Sequence, residues 1–194
     1  MALVPVILIH GIDDSVRLFR RMQPFLEQRG FSVHSFNLTP NDGKASLSVL
    51  ARQVERYVRE RLAAAQAFDI VGFSMGGLIA RYYLQRLGGL TRVRRVITIA
   101  APHHGTWTAY LRNNPGARDM RPGSPFLKDL DRDADSLRRL SFTSIWTPLD
   151  LMIVPSTSSR FGRSILVSSL AHPLMVRNRK VLRLVESILS DGAA

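Results

Sequence analysis

Gly72-Phe73-Ser74-Met75-Gly76 sets a serine between two glycines, each two residues away. Residues 68–71 before it read as a strand, and residues 77–87 after it carry apolar side chains at helical spacing. A serine on a sharp strand-to-helix turn exposes its hydroxyl, but the torsions required crowd the residues two before and two after. Gly72 and Gly76 meet that steric demand, and Gly77 reads as spare room. In this setting Ser74 is a candidate nucleophile. Without its flanking strand and helix the same pentapeptide would describe only a glycine-rich turn.

Working outward, short apolar and β-branched runs alternate with helical patterns, the order of a mostly parallel sheet with crossover helices. Strands are expected at 4–9, 32–37, 69–73, 94–99, 141–146 and 164–167. Helices are expected at 16–29, closed by Gly30, and at 46–67, 75–87 and 176–189. Residues 105–140 hold Pro115, Gly116, Pro122, Gly123 and Pro125 and read as an irregular excursion over the site, long enough for a short flap. Its apolar Trp107, Tyr110, Leu111, Met120, Phe126 and Leu127 are candidates either to line a mouth or to anchor the excursion.

The chain has 194 residues, 45% hydrophobic and 22% charged, which suits one compact domain over residues 1–194. No stretch reaches the roughly 20 apolar residues of a membrane span. The apolar run 4–9 follows no basic segment and stops at His10-Gly11, so it reads as a first strand and not as a secretory leader. Cytoplasm is the default location. With no cysteine, disulfides, zinc thiolates and thiol nucleophiles are excluded. The net charge of +12 rests on 27 basic residues, all but three of them arginine. They are scattered, with no block interleaved with aromatics, so nucleic acid is not read as a partner. Two readings remain for the charge: solvated side chains of an arginine-rich composition, or peripheral contact with an anionic membrane.

Taken together, the strand ending in His10-Gly11-Ile12, the turn around Ser74, the stretch 99–106 with Pro102-His103-His104-Gly105-Thr106, the late Asp150 and His172 resemble the α/β-hydrolase superfamily. Within it they are similar to minimal bacterial lipases and esterases without a large lid. The resemblance implies a small, mostly parallel six-stranded sheet with helices on both faces, and a triad in the chain order Ser, Asp, His. It also implies an oxyanion hole made of the backbone N–H of Met75 and one from the loop after the first strand, assigned to Ile12. His10 is expected to order that loop. Phe73 stands where many relatives carry histidine, and Pro173 directly after the expected base is a second departure.

Asp150 follows the strand 141–146 and a short loop, which places a carboxylate at the carboxyl end of the sheet, where it can hold an imidazole in one tautomer. Asp14, Asp131, Asp133 and Asp135 read as acids of loops or solvated turns. His172 lies between the last strand and the last helix and is the candidate base, since an imidazole can take the serine proton and return it to the leaving group. His103 and His104 come too early in the chain for that role, and His34 reads as a packed or edge residue. The expected function is a carboxylic-ester hydrolase of esterase or lipase type acting on a small-molecule or lipid ester, with no cofactor and no metal. The alternatives are an acyltransferase using the same triad, a phospholipid-directed hydrolase at anionic membranes, and a non-catalytic binding module on the same fold.

Overall fold

Alternate residues of the first apolar run face opposite ways, as a strand requires. Ile7 and Ile9 enter one hydrophobic core, while Val6 and Leu8 enter a second on the other side. The same division recurs at Phe68 and Ile70 against Val71 and Phe73. A strand buried on both faces needs helices above and below it.

In the computed structural model, which describes residues 4–191, six strands meet this condition in one sheet. They are β1 (Val6–Ile9), β2 (Val33–Ser35), β3 (Phe68–Phe73), β4 (Val93–Ile99), β5 (Ser141–Trp146) and β6 (Arg163–Leu166). Every neighbouring pair is parallel, in the order β2-β1-β3-β4-β5-β6. The helices are α1 (Met22–Glu27), α2 (Leu47–Arg61), α3 (Met75–Arg86), α4 (Pro115–Asp119), α5 (Pro125–Asp131) and α6 (Arg179–Ser190). Side chains of α2 and α3 fill one core, and those of α1 and α6 the other. This is the expected α/β-hydrolase arrangement. Because β2 and β3 lie on opposite sides of β1, the loops leaving β1 and β3 open a crevice at the carboxyl end of the sheet, where open parallel sheets hold their sites.

Three expected elements differ, each for a local reason. The helix expected at 16–29 divides into a 3-10 turn, Val16–Phe19, and α1. Pro24 has no N–H to continue the ladder, and its ring would meet the carbonyl four residues back. The helix expected at 46–67 stops at Arg61, where the Arg92 guanidinium takes up the carbonyls of Leu62 and Ala65. The excursion 105–140 is not irregular. It contains 3-10 turns at Trp107–Leu111 and Ala134–Arg139 with α4 and α5 between them. Asn114 accepts from the N–H of Ala117 at 2.9 Å and Ser124 from that of Leu127 at 3.2 Å, so Asn114-Pro115 and Ser124-Pro125 are helix starts.

The excursion is also fastened to α3. The guanidinium of Arg81, wholly buried, reaches Asp131 at 3.1 Å, and Arg86 pairs with Asp129 at 2.8 Å and Asp133 at 2.9 Å. Asp131 and Asp133, read as acids of loops or solvated turns, are partly exposed ion-pair partners that hold this segment, and Asp135 is exposed. Phe126 stacks on Tyr82 at 5.5 Å and Leu127 is buried, so these two anchor the segment. No helix among the described residues is long and apolar enough to cross a membrane.

Candidate active site

Ser74 sits between β3 and α3 with φ +52° and ψ −123°, torsions that an L-residue rarely adopts. Its N–H donates to the Ile99 carbonyl at 2.9 Å, which ties the turn to β4. The crowding is measurable at Gly76, where a Cβ would lie 2.3 Å from the Ile9 carbonyl oxygen. Backbone on both sides leaves nothing to give way. Gly76→Ala is therefore expected to cost about 3 kcal/mol or to prevent folding, a wild-type urea midpoint being the contrary result. Gly77 is not spare room, because a Cβ there would stand 2.4 Å from that of Ala101.

Asp150 is buried beyond the end of β5. Its Oδ1 accepts the N–H groups of Met152 at 2.9 Å and Ile153 at 3.0 Å, and its Oδ2 faces His172 Nδ1 at 2.7 Å. A carboxylate only accepts, so Nδ1 is the donor of this bond and Nε2 is the nitrogen left free of Asp150. His172 begins a 3-10 turn, His172–Arg177, with Pro173 in its first positions, where the missing N–H costs nothing. Phe73 packs on the imidazole with ring centroids 4.7 Å apart. Phe73 thus forms one wall beside the His172 ring.

Ser74, His172 and Ile12 line one cavity of about 520 Å³, with Asp150 behind His172. In this conformation no hydrogen bond joins the Ser74 hydroxyl to His172 among the described residues. Apo arrangements of this kind commonly tighten only when substrate binds. Met75 is the first residue of α3, and neither its N–H nor that of Ile12 has an acceptor among the described residues. The rest of the lining is largely apolar, including Ala109, Leu111, Met120, Met152 and Ile153. Trp107 and Tyr110 stack on each other at 5.5 Å and stand half exposed beside it.

The other histidines are structural. His10 Nε2 accepts the Leu38 N–H at 2.9 Å while Nδ1 faces the Gly11 carbonyl at 2.8 Å, so the ring orders the loop after β1. His103 is buried against Phe142 and Phe161 and meets the Thr98 hydroxyl at 2.9 Å. His104 holds the Arg160 carbonyl at 3.2 Å, and His34 lies on edge strand β2 beside Tyr57. Thr106 accepts from the Val154 N–H and donates to the Met152 carbonyl, both at 2.9 Å, which steadies the loop carrying Asp150.

Burial holds the pKa of His10 below the ordinary 6.5 and that of His103 well below it. On acidification through pH 6.5 the unfolded chain takes up protons that these folded imidazoles refuse. Stability should therefore fall as pH drops through 6.5, with the larger share from His103, whose pKa lies further below the ordinary value. Urea midpoints at about pH 7.5 and about pH 5.5 test this, and equal midpoints would contradict it.

Asp14 is the lining residue that sequence reasoning set aside. Its carboxylate is half-buried in the site cavity. Burial raises its pKa, an effect partly offset by His10, His172 and Arg177. Only its place three residues after Gly11 in the loop could have pointed to it.

A family model described as palmitoyl protein thioesterase matches residues 5–126, which include Ile12, Ser74 and Met75 but end before Asp150 and His172. A pyrethroid hydrolase of Sphingobium wenxiniae is 31% identical over 148 residues, 72% of this chain and 50% of that protein. The lysosomal thioesterase PPT2 of Bos taurus is 32% identical over 117 residues, 56% of this chain and 37% of that protein. The chain spans half or less of the length of these curated relatives. A Bacillus licheniformis lipase in mature form superposes with a TM-score of 0.81 at 16% identity, covering 97% of this chain and 92% of that one. With the parallel sheet and the turn at Ser74, the match over residues 5–126 makes this chain a member of the palmitoyl protein thioesterase family within the α/β-hydrolase superfamily.

Proposed function

We propose that the protein hydrolyses carboxylic esters or thioesters of apolar acyl chains through an acyl-enzyme on Ser74, within one α/β-hydrolase domain. The observation that carries this reading is the 2.7 Å bond between Asp150 and His172, in contact with the cavity that Ser74 lines. As substrate binds, Ser74 Oγ attacks the acyl carbon and His172 Nε2 takes its proton. The oxyanion accepts from the N–H groups of Ile12 and Met75, which have no other acceptor among the described residues. Collapse of the tetrahedral species expels the alcohol or thiol, which leaves with the proton from Nε2. Water, deprotonated by the same nitrogen, then releases the acid and restores Ser74.

The thioester arm is favoured by the family match, since a sulfur leaving group passes through the same intermediate. The apolar lining supports an acyl pocket. Along a series of p-nitrophenyl esters kcat/KM should rise about fourfold per added methylene until the cavity is full, because each buried methylene is worth about 0.8 kcal/mol. A flat or falling series would remove the acyl assignment of this cavity.

A further inference from the structure

On the sheet face that carries α1 and α6, Arg21, Arg29, Arg177, Arg179 and Arg183 line one cavity of about 380 Å³ with Phe25 and Leu182. No carboxylate joins them in its wall. Among the described residues only Arg29 has an ion-pair partner, Glu186 at 2.9 Å, and the Nε of Arg177 is buried without any partner. Four guanidinium groups that share one concavity without an ion-pair partner repel one another, and among the described residues only Arg177 feels an acid nearby, Asp14. An anion bound between them relieves that repulsion.

Arg21 and Arg177 also line a neighbouring groove with Leu149, Leu170 and Leu174. Leu170 is 81% exposed, and Leu149 and Leu174 are about half exposed. The apolar surface continues from this groove along the loop that follows Leu149. Leu151, 82% exposed, and Met152 carry it to the mouth of the Ser74 cavity. Of the eleven exposed large hydrophobic side chains among the described residues, nine lie in 107–111, 149–154 and 170–174. Scattered exposed leucines need no explanation, but a run of this kind around one opening marks a surface that meets an apolar partner.

We propose that this face docks the protein on an anionic phospholipid surface, with headgroup phosphates among the arginines and the leucines in the layer beneath. The pairing of cations and apolar side chains in one groove matches a lipid interface, which presents anionic phosphates directly over hydrocarbon. Nucleic acid fits less well. A single strand stacks its bases on aromatic faces, and the Phe25 ring is already covered by the Arg29 guanidinium, 3.6 Å from its centroid, while a duplex offers no hydrocarbon layer for the exposed leucines. The docking is independent of the hydrolytic reading, since binding can be followed in a protein without turnover.

The test is co-sedimentation of Ser74→Ala protein with vesicles of phosphatidylcholine, with and without phosphatidylglycerol. Binding should require phosphatidylglycerol and fall steeply with salt. Replacing Arg21, Arg179 and Arg183 together with glutamine should weaken partition about a hundredfold, at about fivefold per cation. Leu170→Ser with Leu174→Ser should weaken it with no change of charge. As a control, glutamine at Arg52, Arg56 and Arg59, exposed on α2 across the sheet, removes the same charge from the other face and should leave binding nearly unchanged. Equal losses from the two arginine triples would reduce the effect to net charge and overturn the proposal. So would equal binding to both kinds of vesicle, or binding of inorganic pyrophosphate or duplex DNA through the same triple without vesicle binding.

Discussion

Ser74→Ala should lower kcat for a p-nitrophenyl ester by about 10⁶-fold, the loss seen when a serine hydrolase is deprived of its nucleophile. The substitution removes one oxygen and little else. Ser74 holds its turn through the backbone bond from its N–H to the Ile99 carbonyl, which alanine retains, and its side chain makes no hydrogen bond among the described residues. Far-UV circular dichroism and the melting temperature should therefore stay close to wild type. The small turnover that remains would come from the Ile12 and Met75 N–H groups acting on a bound ester attacked by water. Undiminished turnover would move the chemistry away from this turn.

Asp150→Asn should lower kcat by about 10⁴-fold, and the geometry gives the reason. Oδ1 accepts two backbone N–H groups, from Met152 and Ile153, so the amide must present its carbonyl there. Its NH₂ then replaces Oδ2, 2.7 Å from His172 Nδ1 in the native protein. Two donors cannot share that position. The imidazole proton shifts to Nε2, the nitrogen that has to accept from Ser74, and the base is lost while the loop keeps its hydrogen bonds. Asp150→Ala would remove the loop's acceptor as well and should add a loss of stability. A fall of less than about tenfold in Asp150→Asn would mean that the carboxylate does not set the tautomer.

The strands were the most legible part of the fold. Runs such as 141–146 are rich in β-branched and aromatic residues, and the observed β5 has the same limits. Helix ends were less legible because they depend on distant partners. Arg92, thirty positions past Leu62, closes α2, and nothing near residue 62 announces it. Asn114-Pro115 and Ser124-Pro125 could have been read as helix starts, but the density of proline and glycine around them drew the segment toward an irregular reading.

In the candidate site, the resemblance pointed to Asp150 and His172, and the structure sets their side chains 2.7 Å apart. Local sequence does not encode which side chains meet across the crevice. The contact of Phe73 with the imidazole, the approach of Gly77 to Ala101 and the entry of Asp14 into the cavity all arise from neighbouring loops converging at the carboxyl end of the sheet.

The central claim is that Ser74 is the activated nucleophile, and covalent labelling by a fluorophosphonate followed by peptide mass spectrometry tests it most directly. The reagent should phosphonylate one site, Ser74, with no label in Ser74→Ala and much slower labelling in His172→Ala. Modification of a different residue, or labelling of Ser74 at the same rate without His172, would contradict it.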